Sequence, residues 1–186
     1  MKRRFCFTLV EILVVTALVA LLGAIGFAGY GYAMGAARRS ATESLLKQIE
    51  AALENFKIKK GYYPSSSNYA LITFTSSGGA LTGVSFDGGT TTISGNAFNV
   101  FIKPLDQEKL KKSISGGNLV DSWGGTIYYR YPGAVNKTGF DLIAPGPDGK
   151  FGASPAANPV DPPAATTYKT TDGDWACDDI ANFMNK

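Results

Sequence analysis

The sequence predicts an α+β fold, with one long N-terminal helix packed against a small antiparallel β-sheet. Three features lead there. An almost uncharged apolar run, Phe7 to Ala37, passes directly into a segment whose apolar residues recur at helical spacing. The middle of the chain is broken by Gly, Ser and Thr clusters that read as turns. The last third carries two runs rich in β-branched and aromatic residues, each bounded by glycine.

The N-terminal region divides at two points. Residues 1–6 form a short basic leader, with Lys2, Arg3 and Arg4 as its charges. Residues 7–37 follow as a segment of transmembrane character in which Glu11 is the only charge. As a helix at ~1.5 Å per residue this span would be about 46 Å long, beyond the ~20 apolar residues that cross a bilayer. A secretory signal has a shorter apolar region followed by a small-residue cleavage site. Nothing of that kind follows Ala37, so the segment is expected to be retained. An ionised Glu11 inside hydrocarbon would cost roughly 2.5–3.5 kcal/mol on insertion scales, so it needs a partner, and the retained segment offers no cation nearby. Cutting between Cys6 and Phe7 would create one, the α-amino group of Phe7, on the same chain or on a neighbour.

Arg38 and Arg39 end the apolar run and begin a head of residues 38–186. Leu45, Leu46, Ile49, Ala52, Leu53 and Phe56 recur at spacings of three and four and form one apolar stripe. Glu43 with Lys47 makes a favourable i,i+4 pair. Gly61 and Pro64 mark the helix end near Lys60. Gly23, Gly26, Gly29, Gly31 and Gly35 crowd the apolar half; each weakens a helix interior by ~1 kcal/mol relative to Ala, while membrane helices use glycine for close packing. From Tyr62 to Asn99 the expectation is a loop with one small hairpin. Phe98–Leu105 is a short apolar run and Gln107–Lys112 a helical turn. The segments 125–133 and 139–149 read as two strands joined by a turn around Asn136–Gly139.

Composition excludes several functions. The formal charge of +3 belongs to the leader: without its three basic residues the 18 Lys and Arg fall to 15, matching 15 Asp and Glu. No concentrated basic surface points to nucleic acid. There are 0 His residues, which removes the usual general base and His-based triads, and the chain is not expected to be an enzyme. Cys6 lies in the leader, so processing would leave Cys177 alone, with no intramolecular disulfide.

"FTLVEILVV", Phe7 to Val15, resembles the prepilin-peptidase signature of type IV pilins and type II secretion pseudopilins. Phe7, Thr8, Leu9, Val10 and Glu11 match in order, whereas Cys6 stands where the family has Gly. "DSWGGTIYYRYPG" (121–133), "FDLIAPGPDG" (140–149) and "DDIANF" (178–183) resemble the C-terminal portion of the major pseudopilin, with Ser122 where that family has Pro. The resemblance implies a type IV pilin-like fold, cleavage after Cys6 and N-methylation at Phe7. It also implies a role for Glu11 in assembly, and calcium held by Pro145, Asp148, Asp178 and Asp179; Asp172 and Asp174 are possible substitutes. Six to eight oxygens at about 2.3–2.6 Å would be required, and positions 141–186 contain seven Asp against three Lys.

The implied function is a structural subunit of a type II secretion pseudopilus, the alternative being a type IV pilin for adhesion, motility or DNA uptake. Implied partners are further copies in a helical fibre, other pseudopilins, the inner-membrane assembly platform, the prepilin peptidase and the membrane. The implied location is the inner membrane, single-pass, with the head in the periplasm.

Overall fold

The computed structural model describes residues 8–86, 92–152 and 178–184, with the side chains of 25–29 and 67 excepted. Residues 1–7, Cys6 and Phe7 among them, lie outside this set, as do Asp172, Asp174 and Cys177. The chain is a mixture of helix and antiparallel sheet and forms two compact units, Met1–Ala37 and Arg38–Lys186. Helix α1, Leu9–Lys60, contributes to both.

In the first unit the described side chains are apolar on every face of α1. Leu9 is 77% exposed and Leu22 69%, and Ile12, Leu13, Val14, Val15, Leu18, Val19 and Leu21 are exposed as well. A helix that is hydrophobic all round needs an apolar environment on all sides. Among the described residues no helix is long and apolar enough to cross a membrane.

In the second unit α1 is amphipathic. Leu45, Leu46, Ile49, Ala52, Leu53 and Phe56 are all buried, so the sequence stripe is the face that meets the core. Glu43 pairs with Arg39 at 3.2 Å, one turn back, rather than with the expected Lys47. The helix ends where Gly61 takes φ +87° and its N–H bonds the Lys57 carbonyl at 2.7 Å, a left-handed residue that glycine adopts without a Cβ penalty. Lys57, Lys59 and Lys60 occupy the last turn, where positive charge suits the helix dipole.

Strands β1 (Ser66–Leu71), β7 (Tyr128–Tyr131), β8 (Asp141–Ala144) and β9 (Ile180–Ala181) form one antiparallel sheet in the order β1-β7-β8-β9. The two strands expected in the last third are β7 and β8, registered Tyr128↔Ile143 and Arg130↔Asp141. The turn between them closes with the Gly139 N–H on the Asn136 carbonyl at 3.0 Å.

The region expected to be a loop with one hairpin is more ordered than that. Strands β2 (Thr73–Ser77), β3 (Ala80–Ser85), β4 (Thr92–Ser94), β5 (Ile114–Ser115) and β6 (Asn118–Leu119) make a second antiparallel sheet, β4-β3-β2-β6-β5. Its β2–β3 hairpin turns on Gly78 and Gly79, both at positive φ, as a two-residue hairpin turn matched to strand twist requires. The apolar run near Phe98 is helix α2, Gly95–Ile102, and Gln107–Lys112 is helix α3, capped by the Asp106 carboxylate.

Phe56, Phe86, Phe101 and Tyr129 fill the interior between α1, α2 and the sheets, with Phe86 and Tyr129 rings 4.9 Å apart. The Tyr129 hydroxyl donates to the Pro64 carbonyl at 2.7 Å, and burial pushes its phenol above the ordinary tyrosine range. The core thus fixes β7 against α1, and β7 positions the loops on either side of it.

Candidate functional site

Asp121, Asp141 and Asp179 are buried carboxylates in the head, 5%, 0% and 0% exposed. An ionised side chain is tolerated there only if its oxygens are hydrogen-bonded, and each of them accepts from loop backbone. Asp121 Oδ1 accepts from the N–H groups of Trp123 (2.9 Å) and Gly125 (2.8 Å), and Oδ2 accepts from Gly146 (3.2 Å). One side chain therefore closes the loop before β7 and joins it to the turn after β8. Burial raises its pKa, against these three N–H groups, which pull it down. Because the folded-state pKa is raised, the contribution of this group is largest below the ordinary carboxylate range and is lost as pH rises through the folded value.

The same loop is fastened to α1. Thr42, fully buried, donates its Oγ1 hydrogen to Ser122 Oγ at 3.1 Å and accepts the Ser122 N–H at 3.1 Å. Serine at this position supplies an N–H that proline lacks, so the departure from the pseudopilin pattern at Ser122 has a local role. Asp141 acts similarly on the β7–β8 turn, accepting from Val135 and Asn136 N–H, both at 2.9 Å, and from the Tyr69 hydroxyl at 3.0 Å.

The four positions expected to hold calcium come together around one turn. Pro145 is buried and leads into a single 3₁₀ turn, Gly146–Asp148. Asp178 Oδ2 accepts the Asp148 N–H at 3.2 Å, Asp148 Oδ1 accepts the Lys150 N–H at 2.8 Å, and Asp179 Oδ2 accepts the Gly152 N–H at 2.7 Å. Asp148 is exposed and Asp178 partly so, while Asp179 is turned inward. Among the described residues no group of three acidic side chains is arranged to hold a metal ion. These carboxylates clasp the backbone of the turn and of the returning segment. Strand β9 secures the return through Ile143↔Ala181 and Ala144↔Ile180, and Asn182 exchanges backbone and side-chain bonds with Leu142 and donates its side-chain amide to the Phe140 carbonyl.

Glu11, at the other end of the chain, has a local partner. Its Oε2 accepts from both the N–H and the hydroxyl of Thr8 at 2.9 Å, and its own N–H donates to Thr8 Oγ1 at 3.2 Å. Thr8 and Glu11 thus form a reciprocal capping box at the start of α1. The expected partner, the Phe7 amine, lies outside the described residues. The Thr-x-x-Glu spacing ahead of an apolar run carried this signal in the sequence. Asp followed by a Gly-rich turn at Asp121 carried the other, since aspartate side chains accept from backbone N–H groups two residues on.

No family model, curated protein or solved structure matches this chain.

Gly146 has φ +71°, and a Cβ built on it would lie 2.5 Å from the Asp178 carbonyl oxygen. Gly149 has φ +70° with nothing within 4 Å of such a Cβ. Both substitutions to alanine incur left-handed strain of order 1 kcal/mol, but only Gly146→Ala must also push the returning segment away. In thermal melts of residues 38–186, Gly149→Ala should lower Tm by a few degrees and Gly146→Ala by roughly twice that or more. Equal shifts would show that Gly146 and Asp178 are not in close contact.

Proposed function

We propose that the chain is a structural subunit of a type II secretion pseudopilus, made as a prepilin-type precursor and assembled from the inner membrane into a helical fibre. The observation that supports this most directly is the start of α1. An apolar surface extends around every described face from Leu9 to Ala24, interrupted near its beginning by one carboxylate tied into a helix cap. An uncapped glutamate in that position would be costly, whereas the two Thr8 bonds occupy one of its two oxygens and lower the cost of entering an apolar setting. The remaining lone pairs are available to the amine that cleavage before Phe7 would create. In that pairing the Phe7 amine of one copy meets Glu11 of the next, so subunits interlock only when their helices stand side by side at a fixed offset.

The capping box separates two roles of Glu11, because glutamine also closes such a box but carries no charge. Glu11→Gln should therefore keep α1 capped and membrane-inserted, as wild type, yet lower the fibre released by shearing at least about tenfold, roughly 1.4 kcal/mol per contact. Glu11→Ala, which loses the cap as well as the charge, should lower fibre yield at least as much. Wild-type fibre yield from Glu11→Gln would show that only the cap matters and would remove the assembly role.

Calcium belongs to the same proposal. Asp148 and Asp178 would supply carboxylate oxygens, with Asp179 and the Pro145 carbonyl beside them, and the ion would add charge neutralisation where two carboxylates already share one turn. A ligand bound only by the folded state adds about 2.7 kcal/mol at a hundredfold excess over Kd. Residues 38–186 should then melt several degrees higher in millimolar calcium than in chelator, magnesium should substitute poorly, and Asp148→Ala should remove most of the shift. The same Tm in calcium and in chelator would rule the site out.

A further inference from the structure

The head carries two exposed features on α1 that complement each other. Ile58 and Tyr62 are the large apolar side chains of the second unit that stand out in solvent, 77% and 58% exposed. Ile58 follows Glu50 and Glu54 at four-residue intervals, so these three share one face of the helix. About 100° around the helix, Asn55 and Lys59 face a groove of about 530 Å³ whose other wall is Val100, Lys103 and Pro104. The groove is shaped by the Asn55 side-chain amide, which donates to the Val100 carbonyl at 3.0 Å. Its floor is apolar and its rim carries two ammonium groups; neither Lys59 nor Lys103 belongs to an ion pair among the described residues. One face therefore offers an apolar knob with a carboxylate beside it, and the other an apolar slot with cations beside it.

Resting on the fibre reading, we propose that Ile58 and Glu54 of one copy dock into the Val100–Pro104 groove of a second copy, with Glu54 facing Lys103. The two patches differ, so the contact is heterologous. Repeated by one screw operation it leaves a knob free at one end and a slot at the other, which is the condition for an open helical fibre rather than a closed dimer. Burial of Ile58 supplies affinity at the centre of the contact, and the charges at its rim set register and exclude wrong pairings. Ile58 and Lys103 are at the surface, so exchanging them leaves the core of the head intact, whereas Glu54 also accepts the buried Tyr63 hydroxyl through Oε1 at 2.7 Å, which leaves its second oxygen for Lys103.

The test places p-benzoylphenylalanine at position 58 of the full-length chain and irradiates cells that form fibres. The expected adduct has twice the subunit mass and joins position 58 to the peptide containing Val100–Pro104. A partner of another mass, a cross-link elsewhere on the second copy, or no adduct would overturn the contact. In parallel, Lys103→Glu should lower sheared-fibre yield about tenfold without moving Tm, and adding Glu54→Lys should restore most of it even though that change gives up the Tyr63 hydroxyl bond and lowers Tm by a few degrees. Undiminished yield from Lys103→Glu, or no recovery in the double variant, also counts against the contact. Wild-type cells that release no fibre overturn the fibre reading itself, whereas wild-type fibre without the cross-link overturns the contact alone.

Discussion

Three backbone N–H groups from two stretches of chain, Trp123 and Gly125 on one side of β7 and Gly146 beyond β8, converge on the single carboxylate of Asp121. The two stretches approach so closely that only glycine fits at Gly125 and Gly146. Removing the carboxylate would leave buried N–H groups without an acceptor, at about 1–3 kcal/mol each. Through Ser122 and Thr42 the same loop is joined to α1, and through Gly146 it abuts the Asp178 backbone on the returning segment. Helix, sheet and final strand are thus coupled at one buried charge, and the turn proposed to bind calcium is an outward extension of it.

The parts of this arrangement that depend on periodicity were legible in the sequence. The stripe from Leu45 to Phe56 is buried as its spacing requires, the end of α1 falls at Gly61, and the strands of the last third pair as expected. The second sheet was less visible because its strands are short and rich in Thr, Ser and Gly, so that they read as turns; pairing with non-local partners such as β6 decides their conformation. α2 has only eight residues, Gly95–Ile102, too few for its period to stand out from a buried strand. The acidic positions were found by resemblance, but their present work, clasping backbone amides, follows from distances that sequence spacing does not encode. Asp121 and Asp178 are far apart along the chain, and both come against Gly146, with β8 and β9 paired beside it.

The two units of the chain place opposite demands on one helix. In its first stretch α1 exposes apolar side chains all round and contains a lone carboxylate; in its second it buries one stripe and presents charged faces. The second arrangement suits a soluble head, and the first suits a helix that leaves one apolar environment only to enter another. The proposed fibre subunit, drawn from a membrane, would meet both demands, with Glu11 and the charged rims of the head setting register and apolar burial supplying most of the affinity. The Thr8 cap matters to this account because it lets Glu11 remain in an apolar setting before its assembly partner arrives.

The central claim is that the chain is cut before Phe7 and retains the helix that follows. Intact-mass measurement of the protein extracted from the membrane fraction tests it most directly. The account predicts a species beginning at Phe7, heavier by one methyl group, with the apolar segment of residues 7–37 retained. A membrane-bound protein that keeps all of residues 1–6, or a mature chain that starts beyond Glu11, would contradict it.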